Sequence, residues 1–331
     1  MNITRGGERA IDSGVTASRL SHPLTFAVTG ATGYLGSHLT RRLHQMGHKV
    51  IVLKRSGSNT ARIAGILPDL TSYDIDVHPL DAIFNERRIT CILHCATEYG
   101  RKAVSKASII EANLVLPLRL LEAAIEHGTP FFVNADTVLD KRVNAYSLSK
   151  HQFRDWLAAQ STSICGINVA LAHFYGPGDD ATKFVGDMVR RLIAGDTRIA
   201  LTPGEQLRDF VYIDDIVEAF VMILEHHMAP LPRSVATGSL ADSLYLYEIG
   251  SGQAVSIRQF MTTLRQIVGR EDVVLDFGAI PYRPNEVMCS RARMEPLRTL
   301  GWRPRVSLAE GLLRTVSSER LRLRSEHSCD T

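Results

Sequence analysis

The segment Phe26–Gly36 reads Phe-Ala-Val-Thr-Gly-Ala-Thr-Gly-Tyr-Leu-Gly, with glycines at 30, 33 and 36. Before it, Leu24–Thr29 is a short apolar run that reads as a strand. After it, Tyr34–Met46 carries Leu35, Leu39, Leu43 and Met46 on one helical stripe, with Gly47 as its stop. A turn of this spacing between a strand and an amphipathic helix narrows the possible folds sharply. Gly30 permits a tight turn, Gly33 lets backbone approach a pyrophosphate, and Gly36 lets the helix pack closely on the sheet. Free N–H groups and the dipole at the helix start favour phosphate charge. The plainer alternative is a glycine-rich turn without a ligand, which the strand-before, helix-after context disfavours.

Downstream the chain alternates in the same manner. Lys49–Leu53 is a second β run, Cys91–Ala96 a buried strand, and Glu111–His127 a helix with Leu114, Leu118, Leu121 and Ile125 in period. Pro130–Ala135 reads as a strand, Ser147–Gln160 as a helix and Ile167–His173 as a strand. Strands separated by helices imply an α/β fold, a doubly wound parallel sheet covered on both faces. Residues 1–22 read as a loose extension, His226–Ser243 as an inserted loop, and the tail after about Arg320 as polar and frayed.

Composition excludes several classes. The 331 residues carry 38 Lys+Arg against 35 Asp+Glu, a formal charge of +3, which argues against nucleic-acid binding. No apolar run approaches the roughly 18–20 residues of a membrane span, and residues 1–22 lack the apolar core of a signal peptide. Five cysteines, an odd number, argue against a disulfide framework and for a reducing cytoplasm. Cys91 and Cys95 share one strand with no second pair at ligand spacing, and His226-His227 falls in the expected loop, so no metal site is expected.

Two further positions point to redox chemistry. Val50–Ser56 ends the second strand with Lys54 and Arg55 and no acid, where an acid would bind the 2′-hydroxyl of NAD and a base accommodates a 2′-phosphate. This predicts NADP(H), with NAD(H) still possible. Tyr146 and Lys150, about one hundred residues after the glycine turn, stand four apart at a helix start and so share a face. A nearby ammonium favours the phenolate and would bring a tyrosine, whose free pKa is about 10, toward proton exchange at neutral pH.

With these residues in hand the chain resembles the extended short-chain dehydrogenase/reductase family, the NAD-dependent epimerase/dehydratase group, over roughly residues 24–315. The marks are the glycine turn, His94-Cys95-Ala96, Asn113 before Leu120–Ala124, Tyr146/Lys150, Tyr175–Asp179, Arg208–Asp215 and Glu248–Gly252. The resemblance implies a Rossmann-type domain over about 23–175, with later contributions near 209–225 and 245–252. It also implies a smaller C-terminal domain over most of 176–318 that holds a nucleotide sugar. Tyr146 would be the proton donor, Lys150 its partner on the nicotinamide ribose, and Asn113 a relay. The family's substrate hydroxyl falls on Ala135, which has none, so Thr137 takes that role; strand alternation puts 135 and 137 on one side. Cofactor contacts would come from Gly30, Thr32, Gly33, Tyr34, Leu35, Gly36, Lys54, Arg55, Ala96 and His173, besides Tyr146 and Lys150. Substrate contacts would come from Asp136, Lys183, Arg208 and Arg283, the two arginines as forks for a diphosphate.

Asn134–Leu139 together with Asn144–Leu157 resembles the CDP-abequose/CDP-paratose synthase branch, 4-ketoreductases of deoxysugar and O-antigen biosynthesis. Ala135-Asp136-Thr137 lacks the Glu of the Thr-Asp-Glu seen in dehydratases. The expectation is NADPH-dependent reduction of a C4 keto group on a nucleotide-linked 4-keto-6-deoxy or 3,6-dideoxy hexose, CDP-linked. An NAD-dependent 4-epimerase and a non-catalytic NADP(H)-binding sensor are the rivals. Phe153, Trp156 and Leu157 either pack in the core or join helix 111–127 in a four-helix interface of the homodimer that the resemblance implies.

Overall fold

The computed structural model describes residues 22–101, 104–229 and 244–329, so all but the last residue of the expected extension at 1–22 and most of the expected loop 226–243 lie outside the described residues. In chain order the strands are β1 (Thr25–Thr29), β2 (Lys49–Lys54), β3 (Thr71–Asp74), β4 (Cys91–His94), β5 (Phe131–Thr137), β6 (Cys165–Leu171), β7 (His173–Tyr175), β8 (Arg198–Leu201), β9 (Leu207–Tyr212), β10 (Leu244–Ile249), β11 (Ala254–Ser256), β12 (Val274–Phe277) and β13 (Cys289–Ser290). Seven of them form one parallel sheet in the order β10-β6-β5-β4-β1-β2-β3. Chain order reverses between β1 and β4, and ligands of such sheets bind in the crevice outside the strand ends at that reversal.

The main helices are α1 (Tyr34–Gln45), α2 (Leu80–Glu86), α3 (Lys106–Ile110), α4 (Leu116–Glu126), α5 (Ala145–Ala159), α6 (Phe184–Ala194), α7 (Ile213–Met228), α8 (Ile257–Val268), α9 (Glu295–Thr299) and α10 (Leu308–Cys329). Alternate strand residues feed two cores, because successive side chains leave opposite faces. Phe26, Val28, Val133 and Ile167 pack with α1 and α7 on one face. Ala27, Ile92 and Phe132 pack with α2, α4 and α5 on the other. Phe153 and Leu157 are fully buried in this second core rather than at an outer face, whereas Trp156 is 51% exposed. The C-terminal part adds β9 paired with β7, β11 and β13, and β8 paired with β12.

Four expectations need correction. The strand expected over Ile167–His173 is two, β6 and β7, parted at Ala172, whose N–H bonds Ile249 of β10 while β7 turns to pair with β9. The helix expected over 111–127 opens with a wide π-helical turn, Glu111–Val115, before α4. Pro117 explains it: proline has no N–H to give the Asn113 carbonyl four residues back. His226 and His227 belong to the last turn of α7, not to a loop. The tail expected to fray after about Arg320 instead continues α10 to Cys329, and Arg320 donates to the Val268 carbonyl at 2.7 Å; earlier in α10, Leu312 and Val316 are buried and Glu319 bonds Arg190 of α6.

Candidate active site

At the end of β1 the chain turns through Gly30 with φ 67°, a left-handed conformation that costs other residues about 1–2 kcal/mol. A Cβ there would lie 2.6 Å from the backbone nitrogen of Ala96, at the end of β4, so Gly30 is also the closest approach across the strand-order reversal. A Cβ on Gly36 would lie 2.6 Å from the Gly30 carbonyl carbon, so the helix is held close by packing on the turn itself. Gly33 caps α1 with no side-chain hydrogen bond and no acid follows in the first turn. That N-terminus therefore keeps donors for an anion.

The turn forms one wall of a cleft of about 1340 Å³ that runs past the ends of β2, β4 and β5 to Tyr146, β7, the start of α6 and Arg283. Drug-sized ligands occupy roughly 300–1,000 Å³, so the cleft has room for more than one such molecule. Thr32, Gly33, Tyr34, Leu35, Ala96 and His173 all line it, as expected.

Tyr146 sits in the first turn of α5, whose start is fixed by Asn144: its Oδ1 accepts from the Ser147 N–H at 2.8 Å, and the Ser147 hydroxyl accepts from the Asn144 N–H at 3.2 Å. Burial pushes the Tyr146 hydroxyl well above the usual phenol value, and Tyr99 and Asp136 add to that rise. The Thr137 hydroxyl, hydrogen-bonded to it, and Arg101 oppose the rise. The expected lowering by Lys150 does not prevail: the phenol stays protonated, which is the form a proton donor needs. Strand β5 stays extended through Thr137, so Thr137 and Ala135 both reach the cleft. Thr137 also accepts from the Leu139 N–H at 3.2 Å.

Lys150 and Asn113 lie behind the cleft wall. Lys150 is 1% exposed, and burial lowers its pKa. The Asn113 side chain ties three elements: its oxygen accepts from the Glu98 N–H at 2.8 Å, and its nitrogen donates to the Glu98 carbonyl at 2.9 Å and to Ser149 Oγ at 3.0 Å. Ser149 Oγ in turn donates to the Tyr146 carbonyl at 2.8 Å, so Asn113 braces the first turn of α5 from behind.

Two residues expected at the substrate have their side chains engaged elsewhere, although Asp136 itself borders the cleft. The Asp136 side chain is fully buried on the α5 side of β5, where Oδ2 accepts from Arg154 Nε at 2.7 Å and Asn168 Nδ2 at 2.8 Å, and Oδ1 from the Thr137 N–H at 2.8 Å. As position 136 lies between 135 and 137, its side chain must leave the opposite face. Arg208 does not line the cleft: it donates to the Leu207 and Val287 carbonyls at 2.8 and 2.6 Å and pairs with Glu286. Arg283 does line it and is exposed.

Sequence reasoning missed an aromatic group around Lys183. The Lys183 ammonium pairs with Asp179 Oδ1 at 2.8 Å and lies 4.4 Å from the Phe174 ring, 5.2 Å from Tyr34 and 5.8 Å from Tyr99. The Tyr99 ring stands 4.9 Å from that of Tyr146, and burial pushes its hydroxyl up to about 12. Nothing in the spacing of residue 99 marks it, since it reaches the site through the bend after β4. Tyr34 Oη, His173 Nδ1 and Asp179 Oδ2, all from residues lining the cleft, are buried with no hydrogen-bond partner. Such atoms are costly unless a ligand or water meets them, so they suit a cleft that closes on polar molecules.

Known proteins agree with this geometry. The profile of the NAD dependent epimerase/dehydratase family matches residues 26–236, more than half of the chain. The chain belongs to this family. It is 30% identical over 296 residues to a CDP-abequose synthase of Salmonella typhimurium, covering 86% of this chain and 95% of that protein. It is 27% identical to a UDP-glucose 4-epimerase of Mycolicibacterium smegmatis, covering 87% and 96%. Among solved structures, a UDP-glucose 4-epimerase from Thermotoga maritima with UDP-glucose superposes with a TM-score of 0.75 at 24% identity, covering 91% of this chain and all of that one. A dTDP-glucose 4,6-dehydratase from Streptomyces venezuelae with NAD bound gives 0.75 at 24%, covering 90% and 97%. These two likenesses establish the fold.

The family's dinucleotide fits the residues present: uncapped N–H groups at α1, the close turn at Gly30, and cations at the end of β2. Lys54 and Arg55 both line the cleft there. Acids missing from the local sequence nevertheless arrive in space. Asp76 Oδ2 accepts from the Ser56 N–H at 2.9 Å and Asp74 Oδ2 from the Ser56 hydroxyl at 2.6 Å, Asp74 ending β2's neighbour β3 and Asp76 following it. Among the described residues no helix is long and apolar enough to cross a membrane.

Proposed function

We propose that this enzyme reduces the C4 keto group of a nucleotide-linked 4-keto-6-deoxy or 3,6-dideoxy hexose, CDP-linked in the first instance, with NADP(H). The observation that carries the proposal is that Tyr146 and Thr137 stand together on the cleft wall, Thr137 at the end of β5. The likeness to CDP-abequose synthases supports the substrate class. A bound reduced nicotinamide would supply the hydride. Tyr146 would give its proton to the carbonyl oxygen as negative charge develops there, while the Thr137 hydroxyl holds the same oxygen. Lys150, one turn along the same face, would hold the nicotinamide ribose, and Tyr99 would close the cleft over the sugar. Arg283 would meet the substrate diphosphate, with Arg208 fixed behind it. The engagement of Asp136 by Arg154 favours reduction over dehydration, which needs a carboxyl group open to the sugar.

The test is NADPH oxidation across CDP-, dTDP-, UDP- and GDP-linked 4-keto sugars. Tyr146→Phe should bind NADPH as the wild type does and lose turnover; near-normal turnover would overturn the mechanism. Asp74 and Asp76 beside Lys54 favour one other reading, a 4-epimerase that retains NAD. Tightly held NAD in the purified protein, with no consumption of added NADPH, would select it.

The outer face of α5 with the helix before it is proposed as the seat of a second copy. Trp156, Leu148 and Ile110 are 51%, 43% and 44% exposed there.

A further inference from the structure

Strand β5 sends Phe132, Asn134 and Asp136 to the face covered by α5, and α5 answers with Lys150 and Arg154, four residues apart on one side of the helix. The polar members connect without a break. Lys150 Nζ donates to Asn134 Oδ1 at 3.4 Å, Asn134 Nδ2 to Asn168 Oδ1 at 2.7 Å, and Asn168 Nδ2 to Asp136 Oδ2 at 2.8 Å. Arg154 closes the chain on the same Asp136 oxygen, its Nε at 2.7 Å. Asn134, Asn168, Asp136 and Lys150 are each no more than 3% exposed. Two cations and one carboxylate therefore share a region where charges act more strongly than in water.

We propose that Asp136 and Arg154 are positioning residues for Lys150: their ion pair, carried through Asn168 and Asn134, sets the place and charge of the ammonium and keeps the Asp136 carboxyl away from the sugar. The proposal rests on the reading that Tyr146 and Lys150 serve a keto reduction.

The geometry has direct consequences. Both Asp136 oxygens are occupied, by Arg154, Asn168 and the Thr137 N–H, and the side chain has no surface toward the cleft. It is therefore unavailable as an acid or base there. The groups facing Lys150 are His94 and Cys95 from the end of β4, Asn134 and Asp136 from β5, and Arg154 from its own helix. Burial keeps His94 neutral and pushes the Cys95 thiol up to about 12, so neither supplies countercharge near pH 7. Asp136 is the one that does: it raises the Lys150 pKa while burial and Arg154 lower it. Removing either partner must then move Lys150 in opposite directions.

The experiment is a pair of pH profiles on the purified full-length enzyme, kcat for keto reduction and the dissociation constant of NADPH from fluorescence quenching, between pH 6 and 10. Asp136→Asn leaves two cations facing each other, and its basic limb should move down by a unit or more, with NADPH affinity falling at least tenfold at pH 9. Arg154→Gln leaves Asp136 to Lys150 alone, and the limb should move up. Limbs that do not move, or that move the same way in both variants, overturn the proposal. Should one of the two variants fail to fold, the other decides: a limb that moves in its stated direction supports the proposal, and an unmoved or oppositely moved limb overturns it. An active Tyr146→Phe variant would instead discredit the underlying keto-reductase reading. Inactive Tyr146→Phe with unmoved limbs discredits the positioning role alone.

Discussion

Alanine at Gly36 and at Gly33 should fail in different ways. A Cβ on Gly36 would stand 2.6 Å from the Gly30 carbonyl carbon, against an ordinary carbon–carbon contact of about 3.5–4.0 Å. The turn must retreat by about 1 Å, yet Gly30 already abuts Ala96 and has no room behind it. Overpacking of this kind costs about 1–3 kcal/mol. At about 2.1 cal/mol/K of unfolding entropy per residue, a chain of 331 residues loses about 1.4 °C per kcal/mol, so Tm should drop by about 1.5–4 °C whether or not a ligand is present. Gly33 differs on each count. Its φ of −77° and ψ of 177° suit any residue, and a Cβ there meets only the Gly30 carbonyl oxygen at 3.1 Å. The Gly33→Ala variant should melt within about 1 °C of wild type but bind NADPH at least tenfold more weakly, about 1.4 kcal/mol, because its methyl takes the space through which backbone meets phosphate. Thermal melts and a fluorescence titration on both variants suffice. Unchanged affinity in Gly33→Ala would mean that no pyrophosphate sits against this turn, and an unshifted Tm in Gly36→Ala would refute the packing argument.

Three other outcomes are expected. Burial lowers His38, His173 and His227 to about 4 and lowers His48 as well, so the folded chain holds them neutral while the unfolded chain takes up protons near pH 6.5. Their contribution is complete above pH 6.5 and is lost as the pH falls toward 4; a Tm as high at pH 5 as at pH 7.5 would contradict this. Lys54→Asp should shift the ratio of NADP to NAD affinities at least tenfold toward NAD, and an unchanged ratio would show that Lys54 does not read the 2′ position. Light scattering should give a dimer mass for the wild type and a monomer mass for Trp156→Glu; a monomeric wild type removes the proposed interface.

The glycine turn was legible because its constraint is local: a left-handed residue and two close approaches are written into consecutive positions. Tyr146 and Lys150 were legible because helical geometry alone sets four-residue neighbours on one face. Asp136 was not. Its family position suggests a substrate contact, but its partner Arg154 lies 18 residues on, and only the packing of α5 on β5 brings the two together. Arg208 misled for a similar reason, since Glu286, 78 residues away, meets its guanidinium. The tail shows the converse: its composition after about Arg320 reads as solvent-loving, yet it runs on as helix from the buried Leu312 and Val316, and Arg320 bonds the Val268 carbonyl. Charge balance at the β2 corner was the subtlest miss, because Asp74 and Asp76 enter from a neighbouring strand.

The wide turn at Glu111–Val115 fits five residues where a regular helix would fit about four. Losing one residue from this stretch would let the helix rewind, turning everything before it by about 100° relative to everything after. Ile109, which borders the cleft, and Asn113, which braces Tyr146 from behind, could then no longer both keep their places. Single-residue deletions should thus be far more damaging here than in the exposed bend at 56–60, although both lie outside the strands. In this chain the spacing of the backbone is as specific an instruction as the identity of any side chain it carries.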